Sequence, residues 1–282
     1  MPFFRVIRLA EPRYALIFAI LLALLIQPAK SLAHGGHAAQ PNSIIDPLIT
    51  HHAVLEDEFK LNFFGSNLKS ENVSAVTASL ELAYAFTDLI GIELFTPFGF
   101  TNVAGEKTFG IGDIEFQFPK VSFIRRYGWV VTAYPAIQFP TGKTEAQLGR
   151  GVWVFSPHLL TDIALGPIGV QLNGAYEAAT DGERAFELRG SVAYTLQLRA
   201  DTFLSPLVEL NSEFPVSGGE AAHLLFVPGL KLAIEGWHVG AGVQLPVTES
   251  RPFDYRALFQ VGYHISWNRL LTTENPISHD HH

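Results

Sequence analysis

Cysteine is absent from this 282-residue chain. Its absence excludes disulfide bonds, a thiolate metal site, a cysteine nucleophile and the lipid-modified cysteine that a bacterial lipoprotein carries. Basic residues are also scarce, with 19 Lys and Arg against 27 Asp and Glu and a net charge of −8. Because proteins that bind nucleic acid present a basic surface, this balance argues against a nucleic-acid partner.

Long apolar runs are missing beyond the first thirty or so residues, although 48% of the residues are hydrophobic and the mean hydropathy is +0.20. A transmembrane helix needs about 20 consecutive apolar residues. Many hydrophobic residues that are interleaved with polar ones are instead typical of a membrane β-barrel.

The N-terminus has the features of a secretory signal peptide. Three arginines precede an apolar run of about a dozen residues, Ala15 to Ile26, which is too short to span a membrane as a helix. Small residues follow in Ser31-Leu32-Ala33. We therefore predict a signal peptide over residues 1–33 that is cleaved after Ala33, and the alternative is an uncleaved anchor.

An alternation with a period of two runs through the rest of the chain, and residues 255–267 show it best. Every second residue, from Tyr255 to Trp267, is apolar, and the set is aromatic at both ends. The intervening residues, from Arg256 to Ser266, are mostly polar or small. This pattern predicts a strand with one apolar face. Aromatic residues at both tips are typical of a strand that crosses a bilayer.

Twelve segments follow this rule and predict an all-β fold, a transmembrane antiparallel up-and-down β-barrel of about 12 strands and of outer-membrane type. The predicted strands are 55–64, 78–86, 90–98, 114–118, 129–139, 153–163, 168–176, 186–194, 206–214, 224–234, 237–245 and 255–267. The alternative is a soluble β-sandwich or lipocalin-like barrel, which has no use for twelve apolar faces with terminal aromatic residues.

The links between the predicted strands alternate between short turns and longer polar loops, as they do in outer-membrane barrels, where the turns face the periplasm. Both chain ends would then be periplasmic. The predicted organisation is a signal peptide over 1–33, an irregular histidine-containing periplasmic segment over 34–52, the barrel over 53–267 and a periplasmic histidine-containing tail over 268–282.

The polar faces of such strands would line the lumen. Acids outnumber bases there, so an open path would favour cations; alternatively, the acids pair with the bases and only stabilise the barrel. The predicted lumen-lining residues are Glu81, Glu93, Asp113, Glu115, His158, Asp162, Glu187, Arg189, Glu209, Glu213, Lys231, Glu235, Arg256 and His264.

Several short motifs lie in order along the predicted barrel. They are Tyr84-Ala85-Phe86-Thr87-Asp88 with Gly91-Ile92-Glu93-Leu94, Gly110-Ile111-Gly112-Asp113, Phe139-Pro140-Thr141-Gly142, Ser205 to Asn211, and Val227-Pro228-Gly229-Leu230-Lys231. With these motifs the chain resembles the outer-membrane transporter-like family named for the meta-pathway of phenol degradation, itself similar to hydrophobic-compound channels of the fatty-acid-transporter kind. The resemblance implies a passive transporter of small solutes, including hydrophobic or aromatic ones, and supplies no site residues.

Histidines cluster near both ends of the predicted mature chain. They are His34, His37, His51, His52, His279, His281 and His282. Imidazole suits Zn²⁺, Cu²⁺ or Ni²⁺, and both ends would lie on the periplasmic side. A barrel linked to divalent-metal handling is therefore an alternative function. The opposing interpretation is that these segments are unstructured or that the C-terminal histidines are a purification tag.

Ser156, His158 and Asp162 share one strand face, as residues of a lipase triad would. The alternation points them into the lumen, away from the lipids that a lipase attacks. We therefore predict no enzymatic activity, with a structural or lipase-like barrel as the alternative. The expected partners are outer-membrane lipids, the barrel-assembly machinery, periplasmic chaperones and a small solute, and the expected location is the outer membrane of a Gram-negative bacterium.

Overall fold

The structure, a computed structural model, describes residues 45–68, 73–145, 148–217, 221–250 and 252–264. Among these residues, no helix is long and apolar enough to cross a membrane. The described ranges contain the strands β1 Glu58–Leu68, β2 Val73–Ala85, β3 Ile90–Val103, β4 Glu106–Ile111, β5 Ile114–Arg126, β6 Trp129–Phe139, β7 Val154–Leu165, β8 Ile168–Ala179, β9 Arg184–Tyr194, β10 Leu196–Arg199, β11 Thr202–Pro215, β12 His223–Ile234, β13 Trp237–Pro246 and β14 Tyr255–His264.

Twelve of these strands close into one antiparallel barrel, in which each wall strand pairs with the wall strands before and after it in the chain. The ring closes between β14 and β1, where Phe259 lies opposite Phe63. The short strands β4 and β10 fall outside the ring and pair with β3 and β11. This topology confirms the predicted twelve-stranded up-and-down barrel.

The twelve ring strands form the wall of the barrel. Their polar side chains are buried and many of their large apolar side chains are exposed, the opposite of the arrangement in a soluble protein. Thr132 and Asp162 have no exposed surface, whereas Phe100, Phe123 and Trp237 expose 59%, 57% and 53% of theirs. Soluble proteins bury their large apolar residues and keep charged ones in water. An apolar exterior around a polar interior matches a barrel surrounded by lipid, so the soluble alternative does not fit.

The link between β12 and β13 is a tight turn at one end of the barrel. Glu235 and Gly236 join β12 to β13 with φ angles of 49° and 86°, the two positive values that a type I′ hairpin turn requires. Glu235 is exposed there. The expectation that Glu235 lines the lumen is therefore wrong, because the turn carries it past the last position of the wall.

Several links that we predicted as loops or turns belong to strands. Most of 101–110 forms a hairpin that extends β3 into β4, in which Phe98 pairs with Ile111 and Val103 with Glu106. Most of 120–127 is the second half of β5, and 197–202 includes most of β10. In these segments the strands continue beyond the region in which apolar and polar residues alternate, so the sequence pattern does not reveal them. The predicted end of the last strand, Trp267, lies outside the described residues.

Candidate functional site

Residues 45–57, which precede β1, lie inside the barrel, and we call them the plug. Leu48, Thr50 and Ala53 expose 5%, 2% and 0% of their surface. The plug has no regular secondary structure, so its backbone groups need partners on the wall. The sequence predicts an irregular periplasmic segment over 34–52, but the contacts below place 45–52 in the lumen of the barrel.

The carboxylate of Glu209, on the inner face of β11, receives several hydrogen bonds from the plug. The backbone N–H of Leu48 donates to Oε1 at 2.6 Å, and that of Thr50 donates to Oε2 at 2.7 Å. The N–H of Ile49 lies 3.1 Å from Oε2, and the Thr50 hydroxyl donates to Oε2 at 2.9 Å. Glu209 is fully buried. One wall carboxylate thus holds three consecutive plug residues.

Other wall side chains satisfy the remaining plug backbone. Asp162 accepts a hydrogen bond from the N–H of Ala53 at 2.8 Å, and Thr132 donates to the carbonyl oxygen of Ala53 at 2.5 Å. Gln171 donates to the carbonyl oxygen of Ile45, and Gln260 to that of Pro47 at 3.3 Å. These partners come from β6, β7, β8 and β14, so the plug is bound on several sides of the lumen.

Leu48 packs against a surface of glycines on β12 and β13. A Cβ atom added at Gly240 would lie 2.5 Å from Leu48 Cδ2, and one added at Gly242 would lie 2.7 Å from Leu48 Cδ1. A Cβ at Gly229 would meet the same side chain at 2.5 Å. Only glycine leaves room for Leu48 at these wall positions.

Asp46 connects the plug to the wall through ion pairs. Its carboxylate lies 3.1 Å from Nζ of Lys60 on β1 and 2.6 Å from Nζ of Lys231 on β12. Lys60 also pairs with Glu58 at 3.3 Å and with Glu81 at 2.6 Å. All these side chains are nearly inaccessible to solvent. Buried ions are tolerated only when paired, so removing one partner is expected to be costly.

Lys120 is a lumen residue that sequence reasoning missed. It lies on β5, exposes 4% of its surface and pairs with Glu93, while its Nζ stands 5.1 Å from the centre of the Tyr134 ring. The sequence pattern predicts a turn over 120–127. The pairing of β5 with β6 shifts register between Gln117 and Val121, and such an irregularity interrupts the alternation from which faces are predicted.

Two histidines of the plug face different parts of the wall. The ring of His51 lies 6.1 Å from that of His158, which stacks on Tyr134 at 4.6 Å. Burial lowers the pKa of His51 well below its usual value, and the nearby Arg189 lowers it further. Burial also lowers the pKa of His52 to about 4, although Asp46 opposes the shift. Both imidazoles are therefore uncharged at neutral pH. The other predicted metal-binding residues, His34, His37, His279, His281 and His282, lie outside the described residues.

The predicted lumen residues fall into three groups. The buried ones on wall strands are Glu81, Glu93, His158, Asp162, Glu209 and Lys231, and the partly buried ones are Glu115, Glu187, Arg189, Glu213, Arg256 and His264. Asp113 lies instead between β4 and β5, where its carboxylate accepts hydrogen bonds from the N–H groups of Gly142 and Arg150 at 2.8 and 2.7 Å. It anchors the link between β6 and β7, a role that its place before β5 did not reveal.

The lipase-like set does not assemble. His158 contacts Tyr134, His51 and Asn173, and the Asp162 carboxylate is bonded to Ala53. Among the described residues, no hydrogen bond joins Ser156, His158 and Asp162 into a triad. The geometry offers polar groups and charges around the plug and gives no support to nucleophilic catalysis.

Two cavities flank the plug. One of ≈140 Å³ is lined in part by Asp46, Lys60, Glu81, Lys120 and Arg189. The other, of ≈160 Å³, is lined in part by His52, Glu56, Lys231, His238 and His264. Both have charged walls and room for water. With the plug in place, the lumen therefore keeps room for water on both sides of Asp46.

No protein-family model matches this sequence, and no curated protein matches it. Among solved structures, the chain is similar to the COG4313 outer membrane channel from Pseudomonas putida F1, with 13% identity and a TM-score of 0.57 over 83% of this chain and 100% of that one. The fold is that of an outer-membrane β-barrel.

Two further solved structures are less similar. They are the KdgM porin, with 10% identity and a TM-score of 0.48 over 74% of this chain and 99% of that one, and the NanC porin, with 9% identity and a TM-score of 0.45 over 73% and 98%. No argument rests on either, because both scores are below 0.5. The resemblance to the phenol meta-pathway family stays a prediction.

Proposed function

We propose that the protein is a passive outer-membrane channel for small solutes and that the plug keeps it closed. The observation that carries the proposal is a polar, charged wall around a segment of irregular chain that is bound to it by side-chain contacts. A barrel that served only as a structural element would gain nothing from so many buried charges, which are costly to keep dry. The fold shared with an outer membrane channel supports the same function. The proposal that these solutes include hydrophobic or aromatic compounds is supported by the sequence resemblance alone.

The charge of the wall sets the expected selectivity. By the alternation of the strands, and for Lys120 by its burial, nine wall carboxylates face the lumen against five cations. The carboxylates are Glu58, Glu81, Glu93, Glu115, Asp162, Glu177, Glu187, Glu209 and Glu213, and the cations are Lys60, Lys120, Arg189, Lys231 and Arg256. An acid excess in a narrow aqueous path attracts cations and repels anions.

We expect an open form of the channel, lacking residues 45–54, to prefer K⁺ over Cl⁻. The measurement is the reversal potential of single channels in a planar bilayer with a KCl gradient. The variant Glu115→Gln with Glu187→Gln should reduce the preference, and Glu183→Gln, at an exposed site outside the strands, should leave it unchanged. An anion-selective open barrel would contradict the proposed role of these acids.

The lipid-facing side of the barrel gives an independent prediction. Phe259 lies mid-strand in β14 and exposes 45% of its surface. Phe259→Arg should lower the free energy of unfolding in lipid vesicles by about 2–4 kcal/mol, because it places a charge at the depth of the bilayer core. Unfolding by urea, followed by tryptophan fluorescence, measures the change.

Tyr263→Arg is the matched control, since Tyr263 lies on the same face of β14 near the strand end. Near the membrane interface the expected cost falls to about 0–1 kcal/mol. Equal costs at both positions, or none at Phe259, would show that this face is not embedded in a bilayer.

A further inference from the structure

Three strand ends bring together side chains with the composition of a metal site. Glu58 is the first residue of β1, His238 the second of β13 and His264 the last of β14. Each offers one ligand atom, and these atoms all lie within 4.8 Å of one another. Because β13, β14 and β1 are neighbours in the barrel, the fold fixes this group on a rigid wall.

Two of these side chains are buried and carry polar atoms without a hydrogen-bond partner among the described residues. Among the described residues, no hydrogen-bond partner is found for either ring nitrogen of His238 or for Oε1 of Glu58. His238 exposes only 3% of its surface and Glu58 only 2%. Nε2 of His238 lies 3.1 Å from that Oε1 atom. Leaving buried polar atoms unsatisfied is costly. A cation bound between Nε2 of His238 and Oε1 of Glu58 would satisfy these two atoms.

The third ligand has an orienting partner. Nδ1 of His264 lies 2.6 Å from Oε2 of Glu56. With Nδ1–H donated to this carboxylate, Nε2 carries the lone pair that can bind an ion. Histidines that bind metals commonly donate their other N–H to a carboxylate, which fixes the tautomer and the ring orientation. Glu56 therefore fits the second half of a carboxylate–histidine–metal arrangement.

The local charge also favours a divalent cation. In the state that binds a metal, with neutral imidazoles and ionised carboxylates, the group has four carboxylates and two ammonium groups and hence a net charge of −2. These are Glu56, Glu58, Asp46 and Glu81 with Lys60 and Lys231. Lys60 lies 3.3 Å from Oε2 of Glu58, so Oε1 remains for the ion. The adjoining cavity of ≈160 Å³, which His238 and His264 help to line, has room for water ligands.

We propose that Glu58, His238 and His264 bind one divalent transition-metal ion of the zinc class. Two imidazoles and one carboxylate are a known ligand set for Zn²⁺, and they leave a fourth position for water. The site differs from the histidines of the chain ends. It lies where the plug meets the wall, since Asp46 Oδ2 is 3.8 Å from His238 Nε2. It does not depend on channel activity, so conductance and metal binding can fail separately.

The test is calorimetric titration with Zn²⁺ of the full-length protein in detergent. Histidines 34, 37, 279, 281 and 282 are first changed to alanine so that they cannot contribute. We expect one Zn²⁺ per chain. His264→Gln and Glu58→Gln should each weaken binding at least about tenfold, and Glu56→Gln should weaken it about tenfold through His264. Replacing Zn²⁺ with Co²⁺ should give visible absorption bands that these variants lose.

His223→Gln is the matched control. His223 is also partly buried and lies 3.4 Å from Glu213, but it begins β12 at the opposite end of the barrel. Heat-modifiable migration on a gel shows that each variant is folded. His264 is 39% exposed, so its substitution should be tolerated even if Glu58→Gln is not. No Zn²⁺ binding by the background protein, or equal affinities for the His223 and His264 variants, would overturn the proposal.

Discussion

Deleting residues 45–54 is expected to raise the single-channel conductance in planar bilayers at least about tenfold, because the segment occupies the lumen of a barrel of intermediate width. Eight-stranded barrels are filled by their own side chains, and barrels of 16 or more strands are open. In a barrel of twelve strands, whether the lumen is filled or open depends on whether an additional segment of chain occupies it. The deletion spares Glu56 and also Asp57, which accepts a hydrogen bond from the N–H of Ala85 at 2.8 Å.

The control shortens the tip of the β3–β4 hairpin by removing 102–103 and 106–107, so that the two-residue turn Ala104-Gly105 joins Thr101 to Thr108. β4 lies outside the closed ring, and Thr101 and Thr108, which already pair with each other, then flank the turn. We expect this control to conduct like the full chain. If the plug deletion folds and conducts no better than the full chain, the wall side chains themselves fill the lumen, and the proposed closing role of the plug is wrong.

The wall of the barrel was predictable from sequence because each strand reports its own environment. Phe259 and Gln260 are adjacent, and the bilayer and the lumen demand opposite chemistry of them. That contrast repeats every two residues and needs no knowledge of distant contacts. The short turn at Gly236 was predictable for the same reason, since positive φ angles favour glycine locally.

The plug was not predictable in this way, because its structure depends on residues far along the chain. Leu48 bonds to Glu209 across a separation of 161 residues, and nothing periodic marks the segment. The sequence of the wall nevertheless contains one signal of the plug. Gly229, Gly240 and Gly242 occupy one region of β12 and β13, and glycine within a strand marks the close approach of another chain segment.

The candidate metal site was hidden for a related reason. Of the proposed ligands, His264 appeared among the predicted lumen residues, but the histidines of the chain ends dominated the metal hypothesis. Glu58 and His238 lie 180 positions apart in the sequence. Their proximity follows from ring closure between β14 and β1. Sequence spacing reveals metal sites built within one helix or loop, whereas this group depends on the closure of the whole barrel.

Glu209→Gln is expected to release the plug without unfolding the barrel. The carboxylate accepts hydrogen bonds from Leu48, Ile49 and Thr50, and the amide group of Gln would turn an N–H₂ toward some of these donors. Two lost hydrogen bonds to a charged group cost about 3 kcal/mol or more. That is about a hundredfold in the population of undocked plug.

Cysteine labelling can measure this population, because the native chain contains no competing thiol. His51→Cys places a single thiol on the plug, and a membrane-impermeant maleimide should label it about a hundredfold faster in the Glu209→Gln background. Glu213→Gln is the matched control, since Glu213 shares the inner face of β11 but pairs with His223 rather than the plug. Equal labelling rates in the two backgrounds would mean that Glu209 does not hold the plug in place, and the docking energy would then have to come from Asp46 and Leu48.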